Sequence, residues 1–308
     1  MSTKSPTVRQ FLDAFPNDEV CLEHLMRTRY GKRFVCYGCQ REANYHRVKS
    51  RRCYECEHCG HQVYPTAGTP FEKTRTSLRD WFYVMFLFCA SRNGVAAKEV
   101  QRQIGVTYKT AWRMCHEIRK YMGSVDGDRP LGGTGAHDPA VEIDEAFIGG
   151  KDKRGEDDKA VVLGMIERDG DIVTRFIPDR NSRTVIPQVR KWVKEGSTVY
   201  TDEAPLYKAL PARGGYDHAS INHRKKEWKR GDAHTNNIEA FWANLKRGIQ
   251  GTYVWVSRKH LQKYLWEFEY RHNLRHAPWL MFQALLVSFP KALRLEPSRP
   301  RAGQIAGI

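Results

Sequence analysis

Two cysteine motifs near the N-terminus constrain the fold of this chain more than any other feature. Cys36-Tyr37-Gly38-Cys39 and Cys56-Glu57-His58-Cys59 are both CxxC motifs, and sixteen residues separate them. Each motif turns two thiolates toward one point, and four thiolates complete a closed tetrahedral site without an open position for water or substrate. We therefore predict a zinc ribbon over residues 34–72 and a structural Zn²⁺ bound by Cys36, Cys39, Cys56 and Cys59.

The choice of zinc ligands has an alternative within the sequence. Cys53-Tyr54-Glu55-Cys56 is also a CxxC motif, so Cys53 competes with Cys59 as the partner of Cys56. We prefer Cys59, because Gly60 follows it at a place where such a knuckle often needs a flexible turn. The nearby imidazoles are further potential substitutes, namely His46, His58 and His61.

The charge of the chain indicates a polyanionic partner. Its 308 residues include 51 Lys and Arg against 35 Asp and Glu, a net charge of +16 that divides equally between residues 1–139 and 140–308. Such an excess favours nucleic acid, and its even distribution predicts that both halves contact DNA. No apolar run reaches the roughly 20 residues of a membrane span, and the N-terminus has no signal-peptide pattern. We expect a cytoplasmic, nucleoid-associated protein with no membrane partner.

Helical patterns surround the cysteine motifs. Residues 1–33 form an N-terminal helical segment in which Asn17 or Asp18 caps a helix. Residues 73–123 contain three helical stretches, and Gly105 lies in the turn between the last two, which is typical of a helix-turn-helix. The second helix of that pair, from Thr107 to Met122, would be the recognition helix. Its outward DNA-binding residues would be Tyr108, Lys109, Thr110 and Arg113.

The pattern changes after a linker over residues 124–139, which is rich in glycine and proline. Three strands, a helix, a fourth strand and a later helix then follow in residues 140–290. The strands cover residues 141–148, 161–166, 172–177 and 198–203, and the intervening helix covers residues 182–195. This order describes the start of a ribonuclease-H-like domain, although other α/β folds are compatible with it. The last segment, 291–308, is predicted to be disordered.

Three acidic residues occupy special places in this predicted domain. Asp144 lies on the first strand, Asp202 ends the fourth, and Glu239 lies near the start of an amphipathic helix that Thr235 or Asn236 can cap. Converging carboxylates would repel one another without a cation, and hard oxygen ligands suit Mg²⁺ or Mn²⁺. Two such ions ~4 Å apart can promote phosphodiester cleavage and transfer. Periodicity alone does not distinguish Asp144 from Glu145, or Asp202 from Glu203.

The sequence resembles the ISXO-like insertion-sequence transposases, which join a zinc ribbon to a DDE-type ribonuclease-H-like domain. The resemblance spans residues 11–275, and no single motif is specific without the others. The motifs are Gly68-Thr69-Pro70-Phe71, Ile143-Asp144-Glu145 with Gly149-Gly150-Lys151, Thr201-Asp202 with Tyr207, Ile221-Asn222-His223, His234 to Glu239 with Trp242 and Lys246, Gly251-Thr252-Tyr253, and Lys259-His260-Leu261 with Tyr264, Glu267-Phe268, Arg271 and Asn273.

The resemblance implies a multidomain α+β protein in which a zinc ribbon and helix-turn-helix precede an α/β ribonuclease-H-like (DDE transposase/integrase) domain. It places the catalytic and Mg²⁺-binding acids at Asp144, Asp202 and Glu239. Lys246 would contact DNA phosphate near the cut as a point charge. The implied activity is cleavage and strand transfer of an insertion-sequence element. Its partners would be double-stranded DNA, as terminal inverted repeats and target, and further copies of the chain in a dimer or larger oligomer.

A basic segment precedes the predicted catalytic helix and is a further candidate for phosphate contact. A solvated loop is the alternative for this segment, which comprises Arg224, Lys225, Lys226, Lys229 and Arg230. Two other functions also remain open. One is a non-catalytic, sequence-specific DNA-binding regulator, and the other is a ribonuclease-H-like nuclease without strand transfer.

Overall fold

A computed structural model describes residues 6–126, 129–135, 137–150, 159–221 and 234–290. The basic segment at Arg224, Lys225, Lys226, Lys229 and Arg230 and the tail at 291–308 lie outside the described residues, so both predictions stay predictions. No helix in the described ranges is both long enough and apolar enough to cross a membrane.

The N-terminal part begins with two helices followed by small antiparallel sheets. Helix α1 covers Val8–Ala14 and α2 covers Asp18–Tyr30. The predicted cap of α2 is confirmed at Asn17, whose side chain accepts a hydrogen bond from the Val20 amide at 3.0 Å. Five short strands follow: β1 Phe34–Val35, β2 Glu42–Ala43, β3 Tyr45–Val48, β4 Cys53–Cys56 and β5 Gln62–Val63. Strands β1 and β2 pair with each other, and β3, β4 and β5 form a second sheet.

Three helices continue the N-terminal part, as their apolar spacing predicted. They are α3 Leu78–Ala90, α4 Ala97–Ile104 and α5 Tyr108–Asp126. Ser77 caps α3 by accepting from the Asp80 amide, and Gly105 adopts a left-handed φ of 68° after α4. Helix α5 runs four residues beyond its predicted end, and Tyr121 and Met122 in its last turns are buried in the same apolar core as α3.

A five-stranded mixed sheet forms the centre of the second part. Its strands are β6 Val141–Ile148, β7 Ala160–Glu167, β8 Ile172–Ile177, β9 Thr198–Asp202 and β10 Asp217–Ile221. The order across the sheet is β10-β9-β6-β7-β8, with β6, β7 and β8 antiparallel and with β9 and β10 parallel to β6. The first and fourth predicted strands are therefore neighbours. Strand β10 was not predicted, because its polar residues lack a clear alternating pattern.

Helices cover both faces of this sheet. On one face α6, Ser182–Trp192, packs with a 3₁₀ turn at Pro205–Ala209 and α7, Leu210–Gly214. On the other face lie α8, Asn236–Gly248, a π-helical turn at Ile249–Tyr253, and α9, Arg258–Asn273. Helix α6 ends three residues before its predicted end, because Val193 leaves the helix with extended φ and ψ.

Two further segments join the N-terminal part to the sheet. Helix α10, Pro278–Ser288, lies within the range 140–290 predicted for the ribonuclease-H-like domain, but its buried residues pack into the helical core with α3 and α5. The predicted linker also contains ordered contacts. Leu131 bridges to Val193, and the Gly132 amide donates to the carboxylate of Glu167 at the end of β7, at 2.8 Å. Part of the predicted linker thus packs into the apolar core between the sheet and α6.

Candidate metal centre and acidic cleft

The structure brings together the sulfur atoms of Cys36, Cys39, Cys56 and Cys59, all within 4.8 Å of one another. The Cys36 and Cys59 sulfurs are 3.6 Å apart, and those of Cys39 and Cys56 are 3.9 Å apart. A tetrahedral site with Zn–S bonds of about 2.3 Å places its sulfurs about 3.8 Å apart. The spacing of the four sulfurs therefore fits one Zn²⁺ ion.

The backbone of the two knuckles explains this convergence. The amide of Gly38 donates to Cys36 Sγ at 3.3 Å, and the amide of His58 donates to Cys56 Sγ at 3.4 Å. The residue after each knuckle is left-handed, with φ of 57° at Gln40 and 69° at Gly60. The turn inferred from Gly60 therefore occurs in both knuckles, although the residue in the left-handed conformation is a non-glycine residue, Gln40, in the first of them.

Cys53 is the cysteine that competed for a place in this group, and it lies elsewhere. It is buried on β4, in register with Val48 of β3, and its sulfur does not belong to the four-sulfur group. Cys53 and Cys56 are three residues apart on β4, so strand alternation directs their side chains to opposite faces of the sheet. The structure thus favours Cys59 over Cys53 as the partner of Cys56.

A second candidate site lies where α8 crosses the sheet. Asp144, Glu239 and Lys246 line a cleft of about 390 Å³ together with Trp242. The indole of Trp242 donates to Asp144 Oδ2 at 3.1 Å, and the Thr235 hydroxyl donates to Glu239 Oε1 at 2.9 Å. Glu239 and Lys246 are both exposed on the outer side of α8, as their spacing predicted. The cleft therefore unites three of the four predicted catalytic residues.

Asp202, the fourth predicted residue, lies beside this cleft at the end of β9. Glu142 of β6 is paired with Tyr200 of β9 in parallel register, and the same register continued along both strands brings Asp144 level with Asp202. Burial, together with the negative charges of Glu145 and Asp202, raises the pKa of Asp144 to about 6. A proton or a cation is therefore favoured at Asp144.

The three carboxylates are less closely gathered than the four sulfurs. Across the described ranges, the cysteines are the one group of three or more potential ligands with all donor atoms within 4.8 Å. The expected convergence of Asp144, Asp202 and Glu239 to a single point is thus not observed. Asp202 ends its strand in a turn, where its Oδ1 accepts from the Ala204 amide at 3.0 Å, and the mutual repulsion of unscreened carboxylates also opposes closer approach.

The acidic neighbours of Asp144 have structural partners. Glu145 points to the opposite face of the sheet, where Arg180 donates to its Oε2 at 3.0 Å. Glu142 lies on the same face as Asp144 and is fully buried, and it accepts from the amides of Asn237 and Ile238 at 2.9 and 3.1 Å. Thr235 is the N-cap residue of α8, one of the two positions predicted, but the predicted capping hydrogen bond from its side chain is not made. Glu142 supplies the cap from a different element.

The predicted recognition residues lie in the first two turns of α5. Tyr108 and Lys109 are exposed, and Thr110 is half-buried beside the Thr107 hydroxyl at 3.0 Å. Arg113 is exposed but has partners within the chain, since it donates to the Pro70 carbonyl at 2.7 Å and lies over the Trp81 ring. Tyr108, Lys109 and Arg113 are thus all exposed, and Arg113 is held by contacts within the chain.

Two known protein families match the parts of the chain that contain these sites. Residues 133–273 match the ISXO2-like transposase domain, and residues 16–62 match the transposase zinc-ribbon domain. An uncharacterized transposase-like protein of Haemophilus influenzae is 32% identical over 102 residues, which are 33% of this chain and 80% of that protein. The chain belongs to the ISXO2-like transposases.

A longer relative matches almost the whole transposase. An uncharacterized protein in the transposable element ISH50 of Halobacterium salinarum is 25% identical over 290 residues, which are 87% of this chain and 95% of that protein. No solved structure matches the chain. The zinc-ribbon match contains all four clustered cysteines, and the transposase-domain match contains Asp144, Asp202, Glu239 and Lys246.

Proposed function

We propose that this transposase cleaves DNA at the ends of an insertion-sequence element and transfers the cut strand to a target, in a reaction that depends on Mg²⁺ or Mn²⁺. The observation that carries the proposal is the cleft in which Asp144, Glu239 and Lys246 meet, with Asp202 on the neighbouring strand. We further propose that its domain is ribonuclease-H-like. The support is a sheet with three antiparallel strands followed by two parallel ones, with acids on the adjacent strands β6 and β9.

The residues of the cleft suit a hard divalent cation. Carboxylate oxygens are the ligands that Mg²⁺ prefers, and it commonly binds through one or two carboxylates while it keeps several waters and contacts substrate phosphates. Asp144, Asp202 and Glu239 would hold the ions. When bound, such ions activate a water or hydroxyl nucleophile and stabilise the leaving oxygen. The looser spacing of the three carboxylates leaves room for bridging waters and a phosphate group.

The chain's own residues have separate tasks in this scheme. The Trp242 indole fixes the orientation of Asp144, and the Thr235 hydroxyl does the same for Glu239. Lys246 lies two turns along α8 from Glu239 and places an ammonium group at the mouth of the cleft, where it would attract a phosphate. The buried apolar side of α8 holds this row of groups against the sheet.

DNA recognition is assigned to the N-terminal part. We propose that α4 and α5 form a helix-turn-helix that presents Tyr108 and Lys109 to the major groove of double-stranded DNA, with contributions from Thr110 and Arg113. The left-handed Gly105 between the helices supports this proposal. The basic residues at 224–230 would add phosphate contacts, and paired element ends would require a dimer or larger oligomer.

The acidic site can be tested by neutralising each carboxylate. We expect Asp144→Asn, Asp202→Asn and Glu239→Gln to lower Mg²⁺-dependent cleavage of element-end DNA by more than about a hundredfold. Loss of a group that only orients a metal ligand typically lowers activity by about 10–100-fold, and loss of the ligand itself should lower it at least as much. Electrophoretic mobility shifts should show DNA binding largely unchanged. Glu203→Gln is the matched control, since Glu203 is the exposed neighbour of Asp202.

The products distinguish this proposal from its alternatives. Cleavage that stops with chelator and yields joined target DNA supports a transposase. Cleavage without joined product indicates a nuclease, and sequence-specific binding without any cleavage indicates a regulator. Parental activity in any one of the three acid variants would contradict the catalytic assignment.

The zinc assignment has its own test. We expect one Zn²⁺ per chain by elemental analysis of protein that has not been exposed to chelator, and its loss with Cys36→Ser or Cys59→Ser, because a closed structural site needs four thiolates. Cys53→Ser is the matched control and should keep the metal. Zinc loss with Cys53→Ser and retention with Cys59→Ser would reverse the ligand assignment.

A further inference from the structure

The segment after the π-helical turn exposes two apolar side chains beside the acidic cleft. Val254 is 80% exposed and Trp255 is 61% exposed. Val254 has a φ of 63°, a conformation that a β-branched residue adopts only under strain. We call residues 254–256 the Trp255 ridge. A strained backbone that holds a large aromatic side chain in solvent indicates a binding role for that side chain.

Two cavities lie on either side of the Trp255 ridge, and the ridge lines both. The first, of about 280 Å³, is also lined by Phe147, Gly149 and Lys246. The second, of about 400 Å³, is lined by Tyr108 and by aromatic and imidazole groups of α5 and α9, including Trp112 and His260. The ridge thus stands between the start of the proposed recognition helix and the acidic cleft.

We infer that Trp255 stacks against an unpaired nucleobase next to the scissile phosphate, and that this base occupies the cavity lined by Phe147 and Lys246. The inference rests on the proposed function and adds a substrate-positioning residue to it. The decisive observation is that Lys246 lines both this cavity and the acidic cleft. A strand whose phosphate contacts Lys246 in the cleft would therefore carry its adjoining base past Trp255.

The chemistry of the cavity fits a nucleobase. Its volume is close to the lower end of the range for small-molecule sites, roughly 300–1,000 Å³. Its lining combines the exposed Trp255 with apolar Val254 and Val256, and Lys246 provides positive charge at one side. Aromatic rings accept any base by stacking, while a cation tracks the backbone.

The residue that precedes the Trp255 ridge is fixed by contacts with α9, so the ridge can serve as a fixed stacking surface. The Tyr253 hydroxyl donates to Glu267 Oε1 at 2.6 Å, and Glu267 is fully buried between Arg119 and Arg271. Tyr253 also packs against Tyr264 of α9, with ring centroids 4.8 Å apart. These contacts fix the residue that immediately precedes Val254.

The test uses the full chain and element-end duplexes that carry 5-iodouracil at single positions around the scissile phosphate. This base crosslinks to an aromatic ring on which it stacks, and mass spectrometry identifies the modified residue. We expect a Trp255 adduct at one or two positions next to the cut. Trp255→Ala should lower the cleavage rate by about tenfold or more, as expected for the loss of one stacked base, whereas Trp255→Phe should keep most of it.

A second substrate separates base binding from support of the fold. Mismatches at the scissile step lower the cost of unpairing a base, so they should restore most of the cleavage by Trp255→Ala. Leu280→Ala, at a similarly exposed apolar residue on α10, is the control and should cleave at the parental rate on both substrates.

The outcomes also distinguish this inference from the proposed function. Absence of a Trp255 adduct at every position overturns the inference, and so does parental cleavage by Trp255→Ala on matched duplexes. A wild-type chain that forms the Trp255 adduct but does not cut DNA with Mg²⁺ contradicts the proposed catalysis and leaves the base contact supported.

Discussion

At the scale of single residues, Glu142 links the sheet to helix α8. Its carboxylate is fully buried and accepts from two amides at the start of α8. Arg168 and His234 lie against the same carboxylate, at 3.3 and 3.1 Å. A negative charge at a helix N-terminus also interacts favourably with the helix dipole. Because Glu142 and Asp144 are two apart on β6, one strand both caps α8 and supplies an acid to its cleft.

The capping role predicts a specific loss of stability. Glu142→Ala should lower the free energy of unfolding by about 2–3 kcal/mol, because it leaves two amides at the start of α8 and the Arg168 guanidinium without this acceptor. Urea denaturation monitored by tryptophan fluorescence measures this change. Glu203→Ala removes an exposed carboxylate and should stay within about 0.5 kcal/mol of the parent. Equal effects of the two substitutions would show that Glu142 does not stabilise α8.

At the scale of elements, the approach of α8 to the sheet depends on a strand glycine. Gly164 of β7 is the register partner of Asp144, so both face α8. A Cβ atom at Gly164 would lie 2.5 Å from Trp242 Cζ2 and 2.9 Å from Ile238 Cδ1. The missing side chain therefore makes room for the indole that donates to Asp144. This explains a glycine inside a buried strand, where it otherwise weakens pairing.

We expect Gly164→Ala to displace α8 and to destabilise the protein by about 1–3 kcal/mol, the usual cost of overpacking a core. Cleavage should fall more than DNA binding, because the Trp242–Asp144 hydrogen bond would lengthen. Thermal denaturation and cleavage assays measure the two effects. Gly251→Ala is the control, since no atom lies within 4 Å of its added Cβ. A well-folded Gly164→Ala protein with parental cleavage would show that this close contact is not needed.

At the scale of the whole molecule, buried charges connect the N-terminal helices to the part that contains the five-stranded sheet. Arg119 of α5 donates to Glu267 of α9 at 2.7 Å, and Arg271 donates to the other carboxylate oxygen at 2.5 Å. Burial alone would raise the pKa of Glu267, but the charges of Arg271 and Arg119 hold it below its usual value. Helix α10 adds an apolar connection by packing with α3 and α5. The proposed recognition helix α5 and helix α9, which packs on the sheet, are therefore parts of one packed structure.

Removal of Glu267 tests this connection. Glu267→Ala should lower the free energy of unfolding by about 3–5 kcal/mol, because two guanidinium groups would remain buried without a counter-charge. Glu117→Ala is the matched control, since Glu117 pairs with Lys120 on the same helix at 2.7 Å but at a partly exposed position. Glu117→Ala should lower the free energy of unfolding by at most about 1 kcal/mol. Calorimetry that gives similar losses for both variants would contradict a connecting role for the buried cluster.

The sequence alone determined features that depend on local spacing. The CxxC repeats predicted the four clustered sulfurs, and apolar periodicity predicted most helices and four sheet strands. Family resemblance selected the acids. Tertiary structure alone decided that Glu142 caps α8, that α10 joins the N-terminal core, and that β10 pairs with β9. These contacts join residues far apart in the chain, and local patterns carry no information about which distant partner satisfies a buried group.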